Sequence, residues 1–351
     1  MRDVAIVSFA QAPSVRREPA RNDVEMLMPV IAEALARSNV KRDRIGFWCS
    51  GSTDFITGQP FSFVGALDAV GAWPPISESH VEMDGAWALY EAWIRMQHEN
   101  LDAAVVYAFG RSSLGPVPDV MCMQLDPYIL TPLWPDAVSL AALQARAYLE
   151  ASGKTERDLA QVAIRNRKNA KTNPNAQVKG DSDVESLLAE PYIASPLRAH
   201  DCPPISDACA VVVLAAGDYA REVCKRPAWI RGIDHRIEAQ YPGARDLTKS
   251  SSTAIAAEKA GVAKGGVDVA EIYAPFTSQE LIVLDALKLP AGAEVNPSGG
   301  ALAAHPIMSA GLIRMGEVAS RIHTGEAKRG VAHATSGPCL QQNLVCVLEG
   351  A

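Results

Sequence analysis

The chain lacks the cysteine spacing that a zinc site or a disulfide framework requires. Its seven cysteines are scattered, with no C-x-x-C pair, and such usage is typical of a protein from a reducing cytoplasm. No apolar run reaches the roughly 20 residues of a membrane-spanning helix, and the first residues read as a strand and not as a signal peptide. The chain has no basic cluster and a net charge of -7, which argues against a nucleic-acid-binding protein. We therefore expect a cytoplasmic protein without a metal site.

What the chain does contain is an alternation of strand and helix patterns. Its 351 residues exceed one usual hydrophobic core, so two domains are expected. The alternation restarts near residue 228, which predicts two α/β halves over residues 1–222 and 223–351. Residues from about 112 to 196 interrupt the first half with prolines, a helix and a polar run over 165–178, and are predicted to form an inserted loop domain.

Residues 296–306, which read N-P-S-G-G-A-L-A-A-H-P, form the most informative segment. Gly299 and Gly300 allow a close backbone approach and supply donors in a tight turn. Pro306 favours the first turn of a helix, so His305 is predicted to lie in a rigid loop just before the apolar helix over 307–321. There the imidazole either polarises an oxygen and moves a proton or merely caps the helix.

Three further segments carry motifs whose order fits that loop, namely 166–177 (N-R-K-N-A-K-T-N-P-N-A-Q), 204–210 (P-I-S-D-A-C-A) and 271–276 (E-I-Y-A-P-F). Together the four segments resemble the thiolase superfamily, in particular the sterol-carrier-protein thiolases and the bacterial lipid-transfer proteins of steroid breakdown. The likeness covers nearly the whole chain, although the family's GG…GHP loop is one residue shorter here and has Ala304 in place of a glycine. It implies an α/β thiolase fold, with two similar halves in a five-layer αβαβα arrangement.

The resemblance implies a nucleophilic cysteine at the start of the helix after the third strand, where the helix dipole lowers the pKa of a thiol. That segment reads V-E-M-D-G-A-W-A-L here, and alignment through Gly85 places Glu82 at the cysteine position. Shifting the register gives Met83, Asp84 or Gly85. None of these side chains readily forms and releases a thioester, so the usual acyl-enzyme chemistry is not expected.

The other catalytic positions of the family also differ. Tyr273 replaces the histidine of the E-L-H-D-C-F motif, and the family's second cysteine maps near Ser336 and Gly337, with Cys339 a few residues later. Tyr273 is either a proton donor and acceptor or a core residue with a satisfied hydroxyl group. Cys339 is favoured as a small buried hydrophobic residue over a nucleophile.

The carboxylates of Glu82 and Asp84 have two interpretations. At a helix start, carboxylates are favoured simply by the helix dipole, and this structural reading is slightly preferred for both residues. If the site buries Glu82, its pKa should rise and the side chain becomes a usable base.

Two functions from different classes follow from these residues. The first is retro-aldol cleavage of a β-hydroxyacyl-CoA thioester, which needs no cysteine, with Tyr273 or Glu82 as the base. His305 would hold the oxyanion together with backbone N–H groups near the glycine pair 299–300 or Gly337. The second is a non-catalytic subunit that binds an acyl-CoA or pairs with an active thiolase. A genuine acetyl-CoA acyltransferase ranks last, because the nucleophile is missing.

The resemblance further implies partners and ligands. It implies a homodimer, or a heterodimer with a related thiolase-like chain, and the aldolase relatives also bind a small partner with a zinc ribbon and an OB-fold. CoA is the implied ligand as part of the substrate, with no metal and no redox cofactor. Only the relatives suggest a steroid or other bulky lipid side chain as the acyl group.

Overall fold

A computed structural model of the protein describes residues 2–98 and 101–350. Within these ranges the chain forms the strands β1 (Val4–Gln11), β2 (Ile45–Gly51), β3 (Glu78–Val81), β4 (Ala103–Arg111), β5 (Tyr192–Ala194), β6 (Leu197–Arg198), β7 (Asp207–Ala216), β8 (Ala228–Ile237), β9 (Val269–Ile272), β10 (Glu294–Val295), β11 (Arg329–Ser336) and β12 (Gln342–Glu349). The helices are α1 (Asp23–Ser38), α2 (Asp54–Thr57), α3 (Ser62–Val70), α4 (Gly85–His98), α5 (Val117–Met123), α6 (Ala137–Ser152), α7 (Glu156–Asn169), α8 (Val184–Leu188), α9 (Gly217–Val223), α10 (Ser251–Ala260), α11 (Thr277–Leu287), α12 (Gly300–Ala303) and α13 (Ala310–Thr324). The predicted α/β class is confirmed.

The two halves repeat one strand order. The main sheet runs β10-β9-β11-β12-β8-β1-β7-β4-β2-β3, so each half contributes five strands in the order third, second, fourth, fifth, first. In both halves the fifth strand pairs antiparallel with the first and the fourth, while the second pairs parallel with the third and the fourth. The halves meet where Ala5 and Ile6 of β1 pair with Trp229 and Ala228 of β8.

Helices cover both faces of each half, which gives the predicted five layers. Helices α4 and α13 lie between the two halves, where they bury their apolar faces in one core with strands from both. Helix α1 packs on the outer face of the first half, and α10 packs on the outer face of the second. Because strands β4, β7 and β12 are covered on both faces, they read as nearly continuous apolar runs. The N-terminal ends of α4 and α13 meet inside the molecule.

Residues 112–196 leave the sheet after β4, and the chain returns to it at β7 after a separate small hairpin of β5 and β6. Helices α6 and α7 of this segment, called the insert below, pack on α11 of the second half, and α7 also packs on α12. The insert therefore belongs to the first half in sequence but rests on the second half in space.

Helix α13 starts later than its apolar pattern predicts. The pattern begins at Ile307, whereas the helix begins at Ala310, because Met308 adopts a left-handed conformation with a φ of 78°. Residues 306–309 instead form a turn in which Pro306 accepts backbone hydrogen bonds from Ser309 and Ala310. None of the helices found in the described ranges is long and apolar enough to span a membrane.

Candidate active site

Tyr273 and His305 form a hydrogen-bonded pair in the second half of the chain. Tyr273 follows the end of β9, and its hydroxyl lies 2.8 Å from Nε2 of His305. The backbone N–H of His305 donates to Oγ of Ser206 at 3.0 Å, which ties the loop to the first half. Both side chains are at most 9% exposed. The pair that the sequence suggested as separate candidates is thus one unit.

Burial keeps this pair uncharged. Desolvation lowers the pKa of His305 to about 4, so the imidazole is neutral at physiological pH. Desolvation, reinforced by the nearby carboxylate of Asp84, raises the pKa of the Tyr273 phenol above its ordinary value. Among the described residues Nδ1 of His305 has no hydrogen-bonding partner, which leaves it available to a molecule beside the ring. A neutral pair of this kind can pass a proton through its shared hydrogen bond.

The pair faces a cavity of about 870 Å³. The cavity is bounded by the two halves and by the insert, whose contribution is mostly apolar and includes Val117, Pro118, Met121 and Leu140. Its size falls within the range of drug-sized ligand sites, which are mostly apolar with a few polar groups. The cavity can therefore hold a bulky apolar group next to Tyr273 and His305.

Asp84 directly precedes Gly85, the first residue of α4, within residues 82–85, where the resemblance implies a nucleophilic cysteine. Its carboxylate is buried and accepts N–H donors from both central helices: Oδ1 from Ala86 at 2.8 Å and Leu312 at 3.1 Å, and Oδ2 from Gly311 at 2.9 Å. Burial raises the pKa of Asp84 to about 7, against the lowering effect of these three donors. Because both oxygens are committed to backbone, Asp84 joins the N-terminal ends of α4 and α13.

Glu82 is the residue that alignment through Gly85 places at the cysteine position. The helix starts at Gly85, so Glu82 precedes it by three residues, and its carboxylate binds Thr53, Asp54 and His80. Oε1 accepts hydrogen bonds from Thr53 Oγ1 at 2.8 Å and from the backbone of Asp54 at 2.7 Å, while Oε2 lies 3.0 Å from Nε2 of His80. The side chain is 49% exposed. Glu82 lies at the wall of the cavity but is not the buried base that we considered.

The glycine pair serves the loop backbone. Gly299 and Gly300 have φ values of 101° and 62°, a left-handed conformation that favours glycine. A Cβ on Gly299 would lie 2.6 Å from that of Ala170, and one on Gly300 would lie 2.6 Å from Nδ2 of Asn296. The N–H of Gly299 donates to the carbonyl of Asn296 at 2.9 Å. The pair thus shapes the loop before His305, and its predicted role as an oxyanion donor stays a prediction.

Ser336 and Gly337 lie at the end of β11 and line the cavity, as does Cys339. Cys339 is buried with Leu125, Leu130 and Leu140 in a small apolar cluster. Desolvation raises the pKa of its thiol to about 11. The thiol is therefore protonated at physiological pH, as expected for a packing residue.

Cys339 should accordingly be unreactive in the folded protein. At pH 7.5 we expect iodoacetamide to alkylate Cys339 about 100-fold more slowly in the native chain than in urea, since the thiolate fraction falls with the raised pKa and access is limited. Peptide mass spectrometry over a time course measures both rates, and the denatured sample is the control. Equal rates would show an exposed thiolate at this position.

A buried ion pair between α13 and β9 was not predicted from the sequence. Arg314 on α13 binds Glu271 on β9 at 2.7 Å, with both side chains at most 4% exposed. Glu271 also accepts the backbone N–H and the hydroxyl of Ser298 at 2.9 and 2.7 Å. The only sequence signal was the acidic first letter of E-I-Y-A-P-F, and it carried no indication of its partner.

Comparison with known proteins agrees with the fold. Residues 235–347 match the family model described as Thiolase, C-terminal domain. An acetyl-CoA acetyltransferase of Methanothermobacter thermautotrophicus is 30% identical over 227 residues, which are 57% of this chain and 58% of that protein. Sterol carrier protein 2 of Bos taurus is 23% identical over 300 residues, 74% of this chain and 54% of that protein. The chain thus spans between a half and three fifths of these relatives.

The fold likeness extends over the entire chain. A solved structure of an assembly named Ltp2-ChsH2(DUF35) aldolase superposes with a TM-score of 0.80 at 18% identity, covering 99% of this chain and 97% of that one. The chain is thus similar to the C-terminal domain of thiolases over residues 235–347, and it shares the fold of the aldolase-assembly chain over nearly its whole length.

Proposed function

We propose that the protein cleaves a carbon–carbon bond of a β-hydroxyacyl-CoA thioester by a retro-aldol reaction. The supporting observation is the 2.8 Å hydrogen bond between Tyr273 and His305 at an apolar cavity, with Asp84 and not cysteine at the helix start. Acyl transfer to the enzyme needs a nucleophile there. Retro-aldol cleavage needs only a proton acceptor for the β-hydroxyl group and donors for the enolate oxygen.

The pair can carry the proton through the whole reaction. The Tyr273 oxygen takes the β-hydroxyl proton while the phenol proton passes to Nε2 of His305. The β-carbon becomes a carbonyl carbon, the bond between Cα and Cβ breaks, and its electron pair forms the thioester enolate. The imidazolium then returns the proton through Tyr273 to Cα, which yields a shorter acyl-CoA and an aldehyde or ketone. No free CoA is consumed.

The other groups would hold the substrate. Ser336 and Gly337 line the cavity near the end of β11, and we propose that their backbone N–H groups hold the thioester oxygen. The apolar wall from the insert favours a bulky acyl group, such as a steroid or lipid side chain. CoA enters as part of the substrate.

A partner chain belongs to the proposal. The name of the structural neighbour joins two components, and a relative from Thauera aromatica, 26% identical over 58% of this chain, is named benzoylsuccinyl-CoA thiolase subunit BbsB. We propose that this chain also acts in an assembly, as a homodimer or with a thiolase-like or small zinc-ribbon and OB-fold partner. Assays therefore need the chain both alone and with the products of neighbouring genes.

The decisive experiment incubates the purified protein with panels of β-hydroxyacyl-CoA and β-ketoacyl-CoA thioesters and follows products by mass spectrometry, with and without free CoA. Cleavage of a β-hydroxyacyl-CoA without free CoA supports the lyase. Cleavage that depends on free CoA would identify an acyltransferase and reject the proposal. Binding of acyl-CoA without turnover in any combination would instead identify a non-catalytic subunit.

A further inference from the structure

Helix α11 connects the catalytic pair to the insert. The helix begins at Thr277, shortly after Tyr273, and several of its polar side chains bind the insert or the segment that closes it. The contacts are Thr277 Oγ1 to Asp201 Oδ1 at 2.6 Å, Gln279 Nε2 to Gln144 Oε1 at 3.0 Å, and Tyr148 OH to Asp285 Oδ2 at 2.6 Å. These contacts fix the position of α11 relative to the insert and to the segment that closes it.

Glu280 is the centre of these contacts. Its carboxylate is fully buried and forms an ion pair with Arg165 of α7 through Oε1. Oε2 accepts hydrogen bonds from Nδ2 of Asn166 at 2.6 Å and from Nδ2 of Asn296 at 2.9 Å. A buried carboxylate is tolerated only when it is paired in this manner. The polar run of the insert thus supplies the partners of a carboxylate in the second half.

Asn296 links that carboxylate to both members of the pair. Its Oδ1 accepts the backbone N–H of Ile272 at 2.6 Å, directly before Tyr273. Its own backbone, with a φ of 49°, starts the loop that leads to His305. Asparagine is one of the few residues other than glycine that adopts this conformation readily. One side chain therefore fixes the end of β9 and the start of the His305 loop relative to each other.

The insert also holds the two ends of the His305 loop. Nδ2 of Asn169 donates to the carbonyl of Asn296 at 3.0 Å. At the other end, the backbone N–H groups of Gln177 and Val178 donate to the carbonyl of Ala303 at 3.1 and 2.8 Å. The same insert forms the apolar wall of the cavity. The wall that contacts the acyl group and the loop that carries His305 are therefore parts of one connected body.

We infer that Glu280 and Asn296 are positioning residues through which the insert sets the geometry of the Tyr273–His305 pair, an inference that rests on the proposed function of that pair. Neither side chain needs to touch the substrate. Their effect on turnover arises because a small displacement of reacting groups reduces the rate strongly.

Glu280→Gln tests this inference with almost no change in volume. The amide retains one acceptor oxygen where the carboxylate has two, so either Arg165 or the pair Asn166 and Asn296 faces an NH2 group, and the charge of Arg165 loses its partner. Either outcome weakens the link between the insert and the loop. We expect kcat for β-hydroxyacyl-CoA cleavage to fall about 10- to 100-fold with KM within about threefold of wild type. In histidine-labelled protein, NMR should show altered ring-nitrogen shifts for His305, which a change in global stability alone would not produce. The matched control is Glu185→Gln, an exposed carboxylate of the insert whose partner is Arg157.

The two readouts separate the inference from the function that it rests on. A folded Glu280→Gln protein with unchanged kcat and unchanged His305 signals would overturn the inference. If the wild type cleaves no substrate, the proposed function fails, while the His305 shifts still decide whether the link exists. If Glu280→Gln does not fold, Asn166→Ala removes a single donor from the carboxylate and should produce the same changes at smaller size. Wild-type values for kcat and His305 in that variant would equally reject the link.

Discussion

Replacing Tyr273 with phenylalanine is expected to lower kcat for carbon–carbon cleavage by about 10²- to 10⁴-fold, the usual contribution of general acid–base catalysis. The substitution removes the hydroxyl that lies 2.8 Å from His305 and leaves the ring in place. Since one buried hydrogen bond is lost, the free energy of unfolding should fall by only about 1 kcal/mol. Steady-state kinetics and urea unfolding of the same preparation measure the two quantities separately.

A second tyrosine provides the control for this result. Tyr107 on β4 is fully buried in the core on the outer face of the first half. Tyr107→Phe removes the same atom at a site remote from the pair, so kcat should stay within about twofold of wild type. Equal activity of Tyr273→Phe and Tyr107→Phe would eliminate Tyr273 as the proton carrier.

The largest expected effect on stability comes from Asp84. Asp84→Ala leaves the backbone N–H groups of Ala86, Gly311 and Leu312 without their acceptor inside the protein. At about 1–3 kcal/mol for each unsatisfied buried group, we expect the free energy of unfolding to fall by about 3 kcal/mol or more. Urea unfolding monitored by circular dichroism measures the change.

Asp183→Ala is the matched control for that substitution. Asp183 also accepts a backbone N–H at a helix start, from Ser186 of α8, but it lies on the surface. Loss of an exposed N-cap of this kind should cost about 1 kcal/mol. If Asp84→Ala cost no more than Asp183→Ala, the carboxylate would not be joining α4 to α13, and a chemical role for Asp84 would regain support.

Strands, helices and loops could be predicted from the sequence where a short local pattern of residues determines them. Strand β7 follows from its unbroken apolar run, and the position of the His305 loop follows from its glycine pair and proline. Helix α7 was not predicted, because its sequence is polar over most of its length and its apolar residues are few. The capping box formed by Thr155 and Asp158 was the signal that could have revealed its start.

The register at the start of α4 could not be read from the sequence. Residues 82–85 offered two carboxylates within one turn of a helix start, and the helix dipole favours both equally. Which carboxylate binds the helix start depends on Met308, whose carbonyl accepts the N–H of Gly85 at 2.8 Å, and on the start of α13, more than 220 residues away in sequence. The same holds for Glu280, whose partners come from the insert and from the loop at Asn296.

By itself the sequence determined the α/β class, the repeated halves and the absence of a cysteine at residues 82–85, because strand and helix periods and residue identity are local properties. It also supplied Tyr273 and His305 as candidates. Only the tertiary structure decided that these two side chains share a hydrogen bond. It also decided that the carboxylate of Asp84, and not that of Glu82, binds the N-terminal ends of α4 and α13, and that the polar run of the insert holds the His305 loop. Those contacts join residues far apart in sequence, so sheet register and layer packing fix them, and no local pattern encodes either.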